Sequence, residues 1–156
     1  MKISGSHTIP VPVPRAYETL RDPEVLAKCI PGCEGLTKVG EDEYEMRMKM
    51  AISAMQGLFT GKVRIADQKP LESFRLIVDG SGKIGFMKGD GVLTLVPVEA
   101  GTEVRYEGEA NIGGMIAGVG QRLLDTTAKL LIKKFFEKLS EEAGQDVARP
   151  GALEAN

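Results

Sequence analysis

The sequence predicts an α+β domain in which a seven-stranded antiparallel sheet curves around one long C-terminal helix. Seven segments read as strands, and most of them alternate apolar and polar residues, the pattern of one buried and one wet face. Around residues 85–91 the alternation is unclear, and the glycines there predict a β-bulge. The last six segments follow one another with only turn residues between them, so consecutive strands must pair antiparallel. A long stretch of helical periodicity comes next, and we expect it to cover the apolar face of the sheet.

One strand and two short helices precede these six strands. Residues 2–11 alternate in polarity and predict a strand that ends at a run of prolines. Pro14 favours the first turn of a helix over residues 14–21, where its missing N–H is not needed. Asp22 is a suitable helix cap followed by proline and glutamate, and it predicts a second short helix that stops at Pro31.

Six strands and the long helix make up the rest of the predicted domain. The helix spans residues 114–142, and its apolar stripe changes direction by more than a quarter-turn halfway along. We expect its first half to lie on the sheet and its second half to pack on the short N-terminal helices, on a partner or on a membrane surface. Residues 1–142 form one predicted domain, and the polar residues 143–156 a disordered tail. The predicted strands are residues 35–40, 42–54, 57–69, 73–82, 85–97 and 101–112.

The composition is that of an ordinary globular chain. Its 156 residues suffice for one domain, and 42% hydrophobic with 27% charged residues is typical of soluble proteins. The net charge of −2 gives no basic field for nucleic acid. No apolar run approaches the roughly 20 residues that span a bilayer, and the N-terminus lacks the apolar core of a secretion signal. We therefore expect a cytoplasmic protein.

The sequence offers no metal-binding or catalytic constellation. Cys29 and Cys33 have three residues between them, one more than the redox Cys-x-x-Cys spacing, and a zinc site would need two further ligands. His7 is the only histidine. Small side chains beside a Pro-Gly turn explain the cysteines best, with a structural disulfide as the alternative. Without a Ser-His-Asp set or a metal triad, we predict that the chain is not an enzyme.

The order of the predicted elements resembles the helix-grip fold of the START and Bet v 1-like (SRPBCC) superfamily. Within it, the chain more closely resembles the carbon monoxide dehydrogenase G-subunit family, over about residues 2–140. The most specific feature is the Ile-Pro-Gly-Cys-Glu run of residues 30–34, which follows the Asp-Pro-Glu helix start. The segments that carry the resemblance are residues 7–12, 22–26, 29–34, 57–63, 113–117 and 131–136.

The resemblance implies a small binding protein rather than an oxidoreductase. It further implies an accessory role beside a molybdenum-containing carbon monoxide dehydrogenase, which such proteins would recruit to the membrane or supply with quinone. Relatives in the superfamily hold lipids, sterols and polyketides between sheet and helix. We therefore expect an apolar cavity for a quinone or lipid-like ligand, no covalently bound cofactor, and peripheral contact with the inner membrane face. The alternatives are an assembly or recruitment module without ligand and a cyclase- or hydrolase-type enzyme.

Met46, Met48 and Met50 alternate with charged residues along one predicted strand. Strands favour β-branched and aromatic side chains, so a row of flexible thioethers is unusual there. The row either fills an irregular core or forms an adaptable wall around a guest, and the resemblance favours the wall. Tyr106 and His7 would hydrogen-bond a ligand carbonyl, with a structural role as the alternative for His7. The predicted ligand-binding residues are His7, Met46, Met48, Met50, Phe59, Val63, Phe74, Leu76, Leu93, Tyr106, Met115, Ile116, Val119 and Leu123.

Glycines cluster at the start of the predicted long helix. Each one lowers helix stability by up to about 1 kcal/mol relative to alanine, so this turn is soft. The cluster predicts either a lid at the mouth of the cavity or a close approach of helix and sheet. The predicted gate residues are Gly113, Gly114, Gly118 and Gly120.

Lysines lie close to two phenylalanines later in the same helix. This face is either solvated or a docking surface for anionic lipid or for the dehydrogenase. The predicted docking residues are Lys129, Lys133, Lys134 and Phe136.

Overall fold

The computed structural model describes residues 1–148 and confirms the α+β class. The alternating segments form the seven predicted strands. The strands are β1 (Lys2–Ile9), β2 (Cys33–Gly40), β3 (Glu43–Ile52), β4 (Met55–Lys69), β5 (Ser73–Gly82), β6 (Gly85–Val98) and β7 (Gly101–Gly113). The α-helices are α1 (Val13–Leu20), α2 (Pro23–Cys29) and α3 (Gln121–Ala148). A 3₁₀ turn, Met115–Val119, precedes α3.

The strands form one antiparallel sheet in the order β1-β7-β6-β5-β4-β3-β2. β2 to β7 follow as successive hairpins, because their connections leave room for nothing longer than a turn. β1 pairs with β7, with Lys2 opposite Glu109 and Ile9 opposite Thr102. α1 and α2 therefore carry the chain from one edge strand of the sheet to the other.

Alternating burial identifies the face of the sheet that holds the core. On β3, Tyr44, Met46 and Met48 are buried, whereas Glu45 and Arg47 between them are exposed. We call the buried side the concave face. It carries apolar side chains because it is removed from water, at roughly 25 cal/mol per Å² of apolar surface buried.

The two halves of α3 pack on different partners, as the shift in the apolar stripe predicts. Leu124 near its start is buried in a cluster with Phe59 of β4. Leu139 and Ala143 are buried in the main core cluster, which includes Leu20 of α1 and Cys29 of α2. Of the three candidate partners for the second half, the short N-terminal helices are therefore the ones that the structure shows.

α3 begins at Gln121 rather than at residue 114 as predicted. Gly114 and Gly120 have φ angles of 82° and 97°, which lie outside the right-handed helical region. The 3₁₀ turn between these glycines therefore cannot continue into α3 as one helix. Apart from the end of α3, predictions for the other ends of strands and helices differ from the structure by at most two residues.

The predicted tail also needs correction. α3 continues to Ala148, so residues 143–148 are helical and not disordered. Residues 149–156 lie outside the described part of the chain.

Asp22 caps α2 as predicted, and Glu24 donates its backbone N–H to the Asp22 carboxylate at 2.9 Å. The chain then leaves α2 through Gly32, whose φ of +79° favours glycine. The Gly32 carbonyl accepts a hydrogen bond from the Lys49 N–H of β3 at 2.8 Å. This contact holds the connection between α2 and β2 against the methionine-bearing strand.

We expect Gly32→Ala to lower the free energy of unfolding by about 1–3 kcal/mol, measured by urea denaturation. A Cβ at residue 32 would lie 2.1 Å from the Lys49 carbonyl oxygen, and the positive φ adds strain. Gly35→Ala is the matched control, because a Cβ there meets nothing within 4 Å. Equal effects of the two substitutions would contradict this account of the connection.

Candidate ligand-binding site

A cavity of about 310 Å³ lies between the concave face of the sheet and α3. Its wall is apolar, and Tyr106 is the only residue in that wall with a hydroxyl group. The volume is at the lower end of the range for small-molecule sites, which are mostly apolar with few polar groups. The wall residues are Leu20, Leu26, Ile30, Pro31, Leu36, Met46, Met48, Val63, Phe74, Leu76, Val78, Met87, Leu93, Tyr106, Leu131, Ile132, Phe135 and Phe136.

Two of the three methionines of the predicted row border this cavity. Met46 and Met48 form a buried cluster with Val63 of β4, and Ile30 from the connection after α2 packs against it. Thioether side chains have several rotatable bonds and adapt to irregular shapes. This part of the wall can therefore adjust to the outline of a guest, although contact with a ligand stays a prediction.

Half of the predicted ligand-binding residues lie in the cavity wall. These residues come from β3, β4, β5, β6 and β7, and their side chains share the concave face. They are Met46, Met48, Val63, Phe74, Leu76, Leu93 and Tyr106.

The other predicted residues lie outside the wall, most of them at one end of the sheet. Phe59 and Ile116 are buried in a second core cluster, which we call the turn-end cluster because β3 turns into β4 and β5 into β6 there. Met50 and Val119 pack against it. The turn-end cluster consists of Ile52, Phe59, Ile84, Ile116 and Leu124.

Met115 and Leu123 do not line the cavity either. Met115 is 63% exposed and Leu123 is 37% exposed. The 3₁₀ turn and the first turn of α3 direct these two side chains away from the core, so the prediction that they contact a ligand does not fit their placement.

Three nearly parallel rings stand beside the cavity. The His7 ring centroid lies 4.6 Å from that of Phe136 at an interplanar angle of 13°, and Tyr106 lies 5.7 Å from Phe136 at 18°. Phe136 and Tyr106 belong to the wall, whereas His7 does not. His7 therefore stacks on two wall rings instead of reaching into the cavity as predicted.

Burial shifts the pKa of both polar rings in this stack. It lowers the pKa of His7, an effect that the nearby Glu137 carboxylate opposes. It raises the pKa of Tyr106 above its usual value, so the phenol keeps its proton at neutral pH and can donate a hydrogen bond. The tip of Tyr106 rests on the bare backbone of Gly5, where a Cβ would lie 2.5 Å from the phenol oxygen.

The sequence-based prediction missed the helical side of the wall and three strand residues, Leu36, Val78 and Met87. α3 contributes a stripe of side chains to it, and the end of α2 with its following connection contributes others. The apolar stripe of α3 is visible in the sequence, but the stripe alone does not tell whether its residues meet another side chain or open space. The missed residues are Leu20, Leu26, Ile30, Pro31, Leu36, Val78, Met87, Leu131, Ile132, Phe135 and Phe136, the last of which is among the predicted docking residues.

The predicted gate does not border the cavity. Gly113, Gly114, Gly118 and Gly120 lie around the 3₁₀ turn, and none of them belongs to the wall. A Cβ at Gly114 would lie 2.6 Å from the Cα of Gly85, so a close approach of backbones accounts for one glycine of the cluster. Ile116 of the same turn is buried in the turn-end cluster, none of whose members belongs to the cavity wall.

The predicted docking surface is divided between two faces of α3. Lys129, Lys133 and Lys134 are exposed. Phe136 is buried and lines the cavity, so its assignment to that surface is wrong. Leu130, 48% exposed, is the apolar residue that accompanies the lysines instead.

Both cysteines are free thiols. Cys29 is buried, and burial raises its pKa to about 11, so it stays protonated and unreactive at neutral pH. Cys33 is half-buried, and its thiol lies 3.5 Å from the Gly35 carbonyl oxygen, which accepts from it. Among the side chains of residues 1–144, no three His, Cys, Asp or Glu are grouped closely enough to hold a metal ion.

Comparison with known families gives the cavity a context. The model of the CoxG family, described as the G subunit of carbon monoxide dehydrogenase, matches residues 5–144. The chain belongs to this family. No curated protein has a sequence that matches the chain. No helix among residues 1–148 combines the length and the apolar character that a membrane span requires.

Solved structures show how widely the fold of this CoxG family member is shared. A conserved protein from Geobacillus kaustophilus is 35% identical over 94% of this chain and 97% of that chain, with a TM-score of 0.89. The Zhui aromatase/cyclase from Streptomyces sp. R1128 is 13% identical, covering 97% of each chain, with a TM-score of 0.66. Ara h 8.0201 is 11% identical over 93% of this chain and 98% of that chain, also with a TM-score of 0.66. The last two matches show the SRPBCC helix-grip fold alone.

Proposed function

We propose that this protein is a non-catalytic carrier that holds a quinone or a lipid-like molecule in the cavity between its sheet and α3. The observation that carries the proposal is the cavity of about 310 Å³ whose wall is apolar except for one phenol. An apolar chain would gain about 25 cal/mol for each Å² of surface it buries there. The Tyr106 hydroxyl would donate a hydrogen bond to a carbonyl of the ligand.

Family membership supports a role beside a molybdenum-containing carbon monoxide dehydrogenase. An accessory protein with an apolar cavity would suit quinone delivery, because a quinone that carried electrons from such an enzyme to the membrane would dissolve poorly in water. The cavity would shield the isoprenoid chain during transfer, and the protein would supply no chemistry of its own.

Native mass spectrometry of the purified protein, with and without added menaquinone, tests this function. We expect an adduct of defined mass that organic extraction removes and identifies as a quinone or lipid. A protein that carries no ligand and takes up neither menaquinone nor phospholipid would contradict the carrier function.

We expect Tyr106→Phe to weaken binding of a short-chain quinone about fivefold, the effect of one net hydrogen bond of about 1 kcal/mol. Binding of a hydrocarbon of equal size should not change. Tyr17→Phe is the matched control, because Tyr17 donates its hydroxyl to Gln68 at 3.4 Å outside the cavity wall. An equal loss for the quinone and the hydrocarbon would show that the Tyr106 hydroxyl does not bind the ligand carbonyl.

We also propose that the exposed lysines of α3 dock the carrier where it loads or unloads. Lys129, Lys133 and Lys134 surround the exposed Leu130, which gives a basic surface with an apolar centre. Such a surface complements an anionic membrane face or an acidic patch of the dehydrogenase. A pull-down in which the enzyme is retained by a protein with a blocked cavity would separate docking from cargo binding.

A further inference from the structure

A second hollow lies next to the cavity, over the middle of β5, β6 and β7. Its volume is about 220 Å³. The two spaces share a boundary, because five residues of the cavity wall also line the hollow. Those five are Leu76, Val78, Met87, Leu93 and Tyr106.

Glycines make the floor of this hollow. Gly89 and Gly91 of β6 share the parity of Met87 and Leu93, which face the cavity, and Gly108 of β7 shares that of Tyr106. Side chains at these positions would project from the concave face into the hollow. Their absence leaves the backbone of two neighbouring strands bare where a packed core would have methyl groups.

Close contact with a neighbouring strand backbone explains the glycines at positions 91 and 108 but not the one at position 89. A Cβ at Gly108 would lie 2.5 Å from the Asp90 carbonyl oxygen, and one at Gly91 would lie 3.2 Å from that of Glu107. At Gly89 the nearest atoms are 4.0 Å away, and its φ lies outside the range that favours glycine. Glycine in a strand costs roughly 0.5–1 kcal/mol relative to alanine, so the structure would accept a side chain at Gly89 that the sequence does not provide.

We propose that the hollow over Gly89 is a subsite for an apolar arm of the ligand, and that Gly89 sets how much of that chain the protein can bury. This inference rests on the proposed carrier function. A ligand whose polar group meets Tyr106, which lines both spaces, would extend its chain across the boundary into the hollow. We therefore expect the ligand to carry an apolar chain that is too long for the main cavity alone.

The test measures the affinity of a series of alkyl benzoquinones, from butyl to tetradecyl, for the full chain and for Gly89→Leu. For the unaltered protein, affinity should rise about fourfold per added methylene until both spaces are filled, and then level off. In Gly89→Leu, the shortest quinones should bind as before. The plateau should come about four methylenes earlier, because the new side chain occupies the place of those carbons.

Two further variants keep the result interpretable. Gly35→Leu also adds a leucine at a roomy strand glycine, but Gly35 lines neither space, so its plateau should match that of the unaltered protein. In Gly89→Ala, the affinity should level off about one methylene earlier than in the unaltered protein. This variant provides the test if Gly89→Leu does not fold. Circular dichroism establishes folding for each variant.

The possible failures have different meanings. If the unaltered protein binds no member of the series, carriage of quinones is wrong and the subsite is wrong with it. If it binds the series but folded Gly89 variants keep the same plateau, the carrier function stands and the subsite is overturned. A uniform loss of affinity at every chain length would also overturn the subsite, since Gly89 would then affect the whole cavity.

Discussion

Met48→Glu is expected to weaken binding of quinones and lipids about 100-fold or more. Met48 is buried in the apolar wall, where a carboxylate would have no cationic partner among the wall residues. Burying an unpaired charge is so costly that the side chain would draw water into the cavity or bind a proton. Either change removes part of the apolar surface that a chain would bury. Titration with menaquinone analogues, followed by native mass spectrometry, measures the loss.

Two controls separate this effect from changes in net charge and in packing. Thr60→Glu adds the same charge on the exposed face of β4, beside Arg47 of β3, and should leave binding unchanged. Met48→Leu conserves most of the volume and should alter the free energy of unfolding by less than about 1.5 kcal/mol. If folded Met48→Glu binds as tightly as the unaltered protein, the cavity is not the ligand site.

Leu139→Ala is expected to lower the free energy of unfolding by about 2–5 kcal/mol. Leu139 is fully buried, with 0% exposure, where α3 packs on the short N-terminal helices. Truncation would leave a void among residues that belong to three helices. Urea denaturation measures the change, because a domain of this size is expected to unfold in a single transition.

Leu130→Ala provides the matched comparison on the same helix. Leu130 is 48% exposed, so its truncation should change the free energy of unfolding by no more than about 0.5 kcal/mol. Similar values for the two substitutions would mean that the second half of α3 does not pack on α1 and α2. Because Leu139 does not line the cavity, any loss of ligand binding in Leu139→Ala would report unfolding and not a lost contact.

The sheet and its faces were predictable because alternation is a local signal. Met46 and Met48 point inward as their parity requires, and the change of stripe along the last helix anticipated its two packing partners. The parity of a residue, however, determines which face of the sheet its side chain lies on, and not where it lies along the strand relative to the cavity. Met50 and Phe59 share the concave face, yet they lie towards the turn-end cluster, where the space is filled.

The remaining errors have a common physical cause. Whether an apolar residue such as Ile132 borders another side chain or a void depends on the distance between helix and sheet, which is a property of the whole fold. The start of α3 was missed because Gly114 and Gly120 take up positive φ angles that glycine permits but does not require. His7 was expected in the cavity, but Phe136 and Tyr106, on which it stacks, line the wall instead.

The pairing of β1 with β7 has a consequence for synthesis on the ribosome. β1 is made first, but its hydrogen-bonding partner lies about a hundred residues later, with Lys2 opposite Glu109. During translation, the backbone N–H and C=O groups of β1 therefore have no partner strand until nearly the whole domain has emerged from the ribosome. Contacts this distant in sequence slow folding, because the intervening chain must be ordered before the final strand closes the sheet. Nascent chains stalled before residue 101 should therefore depend on chaperones to shield β1.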